Sequence, residues 1–324
     1  MNKNENILII DGNGLAYKCL HAHQTLGFIN ENKEFIYTGI PYGFLTNLLF
    51  LNKEFKPDKL CIVWDGKPKR RELFYPNYKK RRKEKRKEQI EKNKILDQEN
   101  KNNPNYKPQH NVKNELGYLF SILKNTGIIQ YYHPEEEADD IIGTLSKKLS
   151  KTDKVCIISN DHDFYQLLNN NVQIFRSIGP KKEIITNEKF KQEYGFDPKF
   201  YVNVLALGGD KTDEYHGIRG ISEESAIMLI KEFGPELEKI YNKSLSNLLP
   251  TRYNNLIKEK FDQAKLCRKL AKIITKIDNI ENMTKDTYLN IDELKNQFKE
   301  FRFHSLLFDD KFNSILEIPR KKIL

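Results

Sequence analysis

Three short apolar stretches of the chain each run into an aspartate. The pairs are residues 7–10 with Asp11, residues 60–64 with Asp65, and residues 155–158 with Asp161. Continuous apolar runs of this length predict strands that are covered on both faces, as in a parallel sheet. The carboxyl ends of such strands meet at one edge of the sheet, where ligands bind. We therefore expect the three carboxylates to lie close together.

A fourth acidic group occupies residues 135–140, where a helix is expected to start. Glu137 and Asp140 lie three residues apart and so share one helix face. Acid at a helix start can simply compensate the macrodipole, and an isolated aspartate after a strand is usually a turn or cap residue. Cap or turn roles do not account for four acidic groups that meet at one edge of a sheet. Carboxylates within ~4–6 Å of one another cannot all stay ionised without a cation. An all-oxygen set predicts Mg²⁺, with Mn²⁺ as a substitute, and two such ions can break a phosphodiester.

The charge distribution indicates a polyanionic partner. The chain has 324 residues, with 55 Lys and Arg against 45 Asp and Glu and a net charge of +10. Residues 67–94 contain 14 basic and four acidic residues, so this segment alone accounts for the net charge. A basic stripe beside a neutral body predicts nucleic-acid binding, and a solvated lysine-rich helix without a partner is the alternative. No apolar run reaches the ~18 residues of a membrane span and no signal peptide is evident, so we expect a cytoplasmic monomer without membrane contact.

Strand and helix patterns alternate through the first part of the chain. Helical patterns at 42–52, 112–124 and 138–149 lie between the strand-like runs. This alternation predicts an α/β core with a parallel-rich central sheet flanked by helices over residues 1–187, followed by a helical region over 188–324. Residues 72–110 interrupt the pattern with a charged segment that is too poor in apolar residues to pack a core. The basic end at 319–324 is expected to fray.

A segment rich in glycine and aspartate completes the series of acidic motifs. Residues 207–213 read Leu-Gly-Gly-Asp-Lys-Thr-Asp, and Gly-Ile-Arg-Gly-Ile follows at 217–221. With the acidic motifs in their order, the chain resembles the structure-specific 5′-nucleases. That family includes flap endonucleases, bacteriophage 5′→3′ exonucleases and ribonucleases H, and the 5′-nuclease domain of bacterial DNA polymerase I. The similarity runs from about residue 7 to residue 307. It implies a PIN-like core, a basic helical arch over about 72–110, and a helix–three-turn–helix over about 203–233.

The resemblance also implies roles for individual residues. The inner metal site would consist of Asp11, Asp65, Glu137, Asp139 and Asp161. The outer site would consist of Asp163, Asp210 and Asp213, with Asp140 close to both. The catalytic residues would be Lys79 and Arg82, next to the scissile phosphate, and Asp161. DNA contacts would come from Arg71, Tyr78, Lys79, Arg82, Lys83, Arg86, Gly217 and Gly220. The ring of Tyr78 could stack on an unpaired base, and packing in the core is the alternative.

The activity that the resemblance implies is two-metal-ion hydrolysis of phosphodiesters near single-strand/duplex junctions. Substrates would be branched or nicked DNA and RNA–DNA duplexes, and a single-strand-binding protein or a clamp are possible partners. The alternatives are a non-catalytic junction-binding protein on the same fold and a ribonuclease domain for structured RNA.

Residues 214–216 read Glu-Tyr-His where the family commonly has Asn-Ile-Pro, and Ser222 replaces a usual glycine. The K⁺ ion that such turns often bind is therefore in question. The 32 Asn, together with many Lys, predict an AT-rich genome, that of a bacteriophage or a bacterium.

Overall fold

The computed structural model describes residues 4–100, 103, 106–210 and 213–324. The strands are β1 (Asn6–Asp11), β2 (Gly27–Ile29), β3 (Phe35–Tyr37), β4 (Lys59–Trp64), β5 (Ile129–Tyr132), β6 (Lys154–Ile158), β7 (Val172–Ile178) and β8 (Lys181–Ile185). The helices are α1 (Gly12–Ala22), α2 (Gly39–Phe55), α3 (Lys69–Phe74), α4 (Lys80–Glu99), α5 (Val112–Asn125), α6 (Ala138–Leu149), α7 (Asn187–Tyr194), α8 (Tyr201–Gly208), α9 (Glu223–Phe233), α10 (Leu237–Leu245), α11 (Thr251–Ala271), α12 (Ile291–Glu300) and α13 (Asp309–Leu316).

A mostly parallel sheet forms the centre of the molecule. Its strand order is β5-β4-β1-β6-β7-β8, and only the β7–β8 pair is antiparallel. In the central strand, Ile9 lies opposite Cys61 on one side and Ile157 on the other. The predicted parallel-rich α/β fold is therefore confirmed. Because β1, β4 and β6 run in the same direction, their carboxyl ends lie along one edge.

Both faces of this sheet are covered. Ile7 and Ile9 belong to an apolar cluster with α6 and α8–α11, whereas Leu8 and Ile10 belong to a second cluster with α1, α2, α5, α12 and α13. All four side chains are at most 2% exposed. Two covered faces explain why these strands are apolar at every position instead of alternating with polar residues.

The basic segment leaves the sheet after β4 as the helices α3 and α4. No residue of α4 is buried, and the helix is polar on all sides. A helix without an apolar face gains nothing from packing on a core, so its position depends on polar contacts at its base. This agrees with the charged insertion that the sequence predicts.

The chain end packs against the fold, so the prediction of a frayed basic end is wrong. Ile323 is 2% exposed and belongs to the first apolar cluster. The guanidinium of Arg320 donates to backbone carbonyls of Thr126, Ile315, Leu316 and Ile318. These bonds attach the segment after α13 to the end of α5. None of the described helices is both long and apolar enough to cross a membrane.

Candidate active site

Asp11 lies at the centre of the carboxyl edge, where β1 passes into α1. Its carboxylate caps α1 by accepting the amide of Gly14 at 2.8 Å, and it accepts the hydroxyl of Ser159 at 2.9 Å. The Ser159 oxygen in turn accepts the amide of Asp161 at 3.1 Å. One serine therefore fixes the acids that follow β1 and β6 relative to each other.

Asp65 connects the end of β4 to the acidic helix start. Its carboxylate accepts the amide of Ala138 at 2.9 Å, which supplies α6 with a cap that Glu137 does not provide. The amide of Asp65 donates to the side chain of Asn13 at 3.2 Å. This arrangement places Asp139, in the first turn of α6, close to Asp65 and Asp161.

All five predicted inner carboxylates interact as one electrostatic group, since Glu137 also acts on Asp139. Burial raises the pKa of Asp11 to about 7, and the charges of Asp65 and Asp161 add to the rise. Burial also raises the pKa of Asp139 well above its ordinary value, and Asp161 and Asp65 again contribute. Each of these acids makes the ionisation of its neighbours more costly.

A second group of acids shares Asp161 with the first. The amide of Asp163 donates to Asp161 at 2.8 Å, and the amide of Asp213 donates to Asp210 at 3.2 Å. Burial, followed by the charges of Asp161, Asp210 and Asp213, raises the pKa of Asp163 well above its ordinary value. Asp161 keeps an exposed face. Its pKa is also raised, because the protein crowded around it withdraws it from water and Asp213 and Asp210 add their charge.

Lys79, at the base of the basic segment, contacts both groups. Its Nζ lies 2.8 Å from a Glu137 oxygen and 3.0 Å from an Asp213 oxygen. Burial disfavours the charged amine, but Asp213 and Glu137 outweigh burial and raise the pKa of Lys79. Its backbone has a φ of 54°, a left-handed conformation that residues other than glycine rarely adopt.

Arg71 is a buried partner of the acids and not a surface cation. It is 5% exposed, and its guanidinium binds Asp140 at 2.7 and 3.1 Å, contacts Glu137, and donates to the Leu270 carbonyl. Asp140 is 1% exposed and also accepts the amide of Ile274 at 2.8 Å. Protein donors thus occupy both Asp140 oxygens. In this structure Arg71 is therefore not accessible to DNA, and Asp140, which was expected close to both metal sites, has no oxygen without a protein donor.

Tyr78 is buried as well, at 2% exposure, and its hydroxyl donates to Asp213 at 2.8 Å. A buried ring cannot stack on a base, so in this conformation Tyr78 follows the alternative of packing in the core. Of the other predicted DNA contacts in the basic segment, Lys79 is mostly buried, with 17% of its side chain exposed, and the remaining three are accessible. The side chains of Arg82 and Lys83 are half-exposed, and Arg86 is exposed.

The loop between α8 and α9 covers residues 209–222 and requires glycine at three positions, the first of which is Gly209 with a φ of 77°. A Cβ on Gly217 would lie 2.3 Å from a backbone carbonyl oxygen, and Gly220 has a φ of 101°. Ser222, which departs from the family pattern, caps α9 by accepting a backbone amide at 3.2 Å. Residues 211 and 212 of the predicted motif lie outside the described residues.

Two family sequence models cover most of the chain. The 5′-3′ exonuclease N-terminal, resolvase-like domain matches residues 6–195, and the 5′-3′ exonuclease C-terminal SAM fold matches residues 196–296. The chain belongs to the 5′-3′ exonuclease family. A protein of Buchnera aphidicola subsp. Baizongia pistaciae named 5′-3′ exonuclease is 33% identical over 316 residues, which are 94% of this chain and 93% of that protein.

Two solved structures have the same fold. T5 5′-exonuclease with bound zinc has a TM-score of 0.65 and 21% identity, covering 92% of this chain and 98% of that one. A bacteriophage T5 flap endonuclease variant in a complex with DNA and metal ions has a TM-score of 0.64 and 20% identity, with the same coverage. The family resemblance of the sequence is therefore confirmed.

The donor set of this site fits a hard divalent cation. Among the described residues, no three His, Cys, Asp or Glu side chains are already arranged to hold a metal ion. The acids nevertheless offer oxygen alone, and the pKa values of Asp11, Asp139, Asp161 and Asp163 are raised because burial and neighbouring acids are not offset by enough positive charge. A divalent ion would supply that charge and draw the carboxylates closer.

A cleft of about 940 Å³ opens in front of these acids. Asp11, Asp161 and Asp163 line one part of it, and Lys18 and Lys182 line another. The sequence analysis missed both lysines. Lys18 could have been found, because it follows Asp11 by seven residues, which is about two helical turns and therefore the same side of α1. Nothing in the sequence around Lys182 places it near the site, since only the β7–β8 pairing brings it there.

Proposed function

We propose that this protein is a divalent-metal-dependent 5′-nuclease that hydrolyses phosphodiesters near single-strand/duplex junctions. The observation that supports this most is the group of carboxylates with raised pKa values, Asp11, Asp139, Asp161 and Asp163, beneath the base of a basic helix. Crowded acids disfavour ionisation unless a cation binds them. A protein that only binds junctions has no use for such a costly arrangement.

The proposed cofactor is a pair of Mg²⁺ ions, for which Mn²⁺ can substitute. Asp11, Asp65, Asp139 and Asp161 would hold one ion together with Glu137, and Asp163, Asp210 and Asp213 would hold the other. When bound, the ions would activate a water molecule and stabilise charge on the attacking and leaving oxygens. A K⁺ ion at residues 209–222 stays a prediction, because the loop departs from the family pattern there.

Lys79 and Arg82 are the proposed catalytic cations. Both contact Asp213 from the base of α4, so both are close to the carboxylates that would bind the reacting phosphate. A cation in this position stabilises negative charge that develops on the phosphoryl group. Arg82 offers a planar fork of donors and Lys79 a point charge, so the two are not interchangeable.

Further positive groups surround the site and are proposed to bind the DNA backbone. Lys83 and Arg86 extend the basic surface along α4, and Lys18 and Lys182 line the cleft. The glycine turns at Gly217 and Gly220 let backbone amides approach a phosphate of the duplex. The proposed substrates are 5′ flaps, nicked or gapped DNA, and RNA primers paired with DNA.

The test is cleavage of a 5′-labelled flap duplex and of a matching nicked duplex, each with Mg²⁺ and with a chelator. We expect short 5′-labelled products in Mg²⁺ alone. Asp161→Asn should abolish cleavage and retain substrate binding, because the fold does not depend on that exposed charge. Asp262→Asn, on the exposed face of α11, is the matched control and should cleave normally. Tight binding without cleavage in Mg²⁺ or Mn²⁺ would support the junction-binding alternative.

A further inference from the structure

The basic helix α4 begins without a cap from its own sequence. Its N-cap residue is Lys79, whose side chain makes no capping hydrogen bond. The amide of Arg82, the third residue of the helix, instead donates to the carboxylate of Glu214 at 2.8 Å. The third amide of a helix is where a capping oxygen normally binds, so Glu214 acts as the cap from a segment 132 residues further along the chain.

Asp213, the residue before Glu214, contacts the same end of α4 and the two residues that precede the helix. Asp213 accepts the hydroxyl of Tyr78 at 2.8 Å, and it lies 3.0 Å from the amine of Lys79 and 3.5 Å from the guanidinium of Arg82. Two consecutive acids therefore hold the whole base of α4. A carboxylate at a helix N-terminus is also favoured by the macrodipole.

We propose that Glu214 is a positioning residue that caps α4 and so fixes Lys79 and Arg82 over the carboxylates. Glu214 has a φ of 60°, a left-handed backbone that a glutamate rarely adopts. It also stands at one of the positions where this sequence departs from the common family pattern, which has asparagine there. The proposal deepens the proposed function, but only its kinetic consequence rests on that function.

The structural test uses the metal-free protein without DNA. Glu214→Asn keeps a residue that tolerates the left-handed backbone, but its shorter, uncharged side chain cannot reach the Arg82 amide. Glu214→Gln retains the length and an acceptor oxygen. Glu232→Gln, on the exposed side of α9, removes the same charge elsewhere and is the control. The readouts are amide hydrogen exchange of residues 80–83 and the rate of trypsin cleavage within α4.

We expect Glu214→Asn to increase amide exchange at the start of α4 by a factor of about 2 to 30, the range that corresponds to losing a helix cap. Glu214→Gln should show a smaller increase, and Glu232→Gln should match the wild type. Unchanged exchange in Glu214→Asn would overturn the proposal. Equal effects of Asn and Gln would also overturn it, because an acceptor in the right place would then make no difference.

The kinetic test uses the flap duplex with Mg²⁺. Because Lys79 and Arg82 would act on the reacting phosphate, Glu214→Asn should lower kcat, leave KM within about twofold, and be partly rescued by Glu214→Gln. Wild-type kcat in Glu214→Asn would overturn the positioning role. Failure of the wild type to cleave would refute the proposed function and leave the exchange result standing, so the two failures are distinguishable.

Discussion

Replacement of Arg71 tests whether this buried cation maintains the fold or contacts DNA. In Arg71→Met, the carboxylates of Glu137 and Asp140 would remain buried, at 4% and 1% exposure, without their guanidinium. The carbonyls of Leu270 and Lys272 would each lose a donor. Breaking one side of a buried ion pair costs about 3–5 kcal/mol. That is a large fraction of the roughly 5–15 kcal/mol that separates a folded domain from its unfolded state.

The assay is urea unfolding followed by circular dichroism, with Arg70→Met as the matched control. Arg70 is the adjacent residue, its side chain is 40% exposed, and it pairs with Glu136 at 3.1 Å. A partly exposed pair of this kind contributes about 1 kcal/mol or less. In a double-mutant cycle, Arg71→Met combined with Asp140→Asn should cost less than the sum of the single changes, by about 0.5–3 kcal/mol.

A DNA contact at Arg71 makes the opposite prediction. Loss of one phosphate contact reduces the slope of log K against log salt by about 0.9 and leaves the free energy of unfolding unchanged. The structural assignment of Arg71 would be refuted if Arg71→Met were as stable as Arg70→Met and its DNA binding showed the smaller salt slope. With the structural role, the salt slope of the folded variant should equal that of the wild type.

Two further predictions concern the charges of the site. The raised pKa of Asp11, about 7 against an ordinary 3.8, means that the folded state binds more protons than the unfolded state between those values. The thermal stability of the metal-free protein should therefore fall as pH rises from about 4 through 7. Asp11→Asn or added Mg²⁺ should make this fall smaller. A melting midpoint that does not change with pH in chelator would contradict the prediction. Lys79→Ala should lower kcat on the flap substrate by about 100-fold, as loss of one positioned charge-stabilising group does, whereas Lys87→Ala on exposed α4 should stay within twofold; equal effects would argue against a positioned lysine at residue 79.

The sheet and its acidic edge could be predicted because both depend on local sequence. Strands buried on two faces are apolar at every position, and an acid directly after each of them must lie at the carboxyl edge. The β2–β3 hairpin was not predicted, because its strands have three residues each and are half-buried or exposed, with no pattern to mark them. The packing of the chain end was missed for a different reason. Its basic residues suggested a solvated tail, but Arg320 also donates to the Thr126 carbonyl, which only the fold brings close to it.

The errors within the site share one physical cause. Charge counting treats each residue of a basic run alike, so it cannot separate the buried Arg71 from its exposed neighbours. Helix spacing correctly put Glu137 and Asp140 on one face, and Arg71 does contact both. Which way that face points depends on the backbone around Leu270 and Ile274, which comes from the far end of α11 and packs against α6. No pattern within residues 135–140 contains that information.

The internal ion pairs show which acids of the site have no cation of the protein in contact with them. Within the described part of the site, the buried cations Arg71 and Lys79 contact Glu137, Asp140 and Asp213. The acids that neither cation touches include Asp11, Asp139, Asp161 and Asp163, whose pKa values are all raised. The pKa of Glu137 is also raised, because its burial outweighs the two cations that contact it. The basic helix α4 cannot supply positive charge to these acids, because none of its side chains is buried. The raised pKa values and an affinity for divalent ions are therefore two measures of the same uncompensated negative charge. Protons satisfy this charge at low pH, and metal ions would satisfy it at neutral pH.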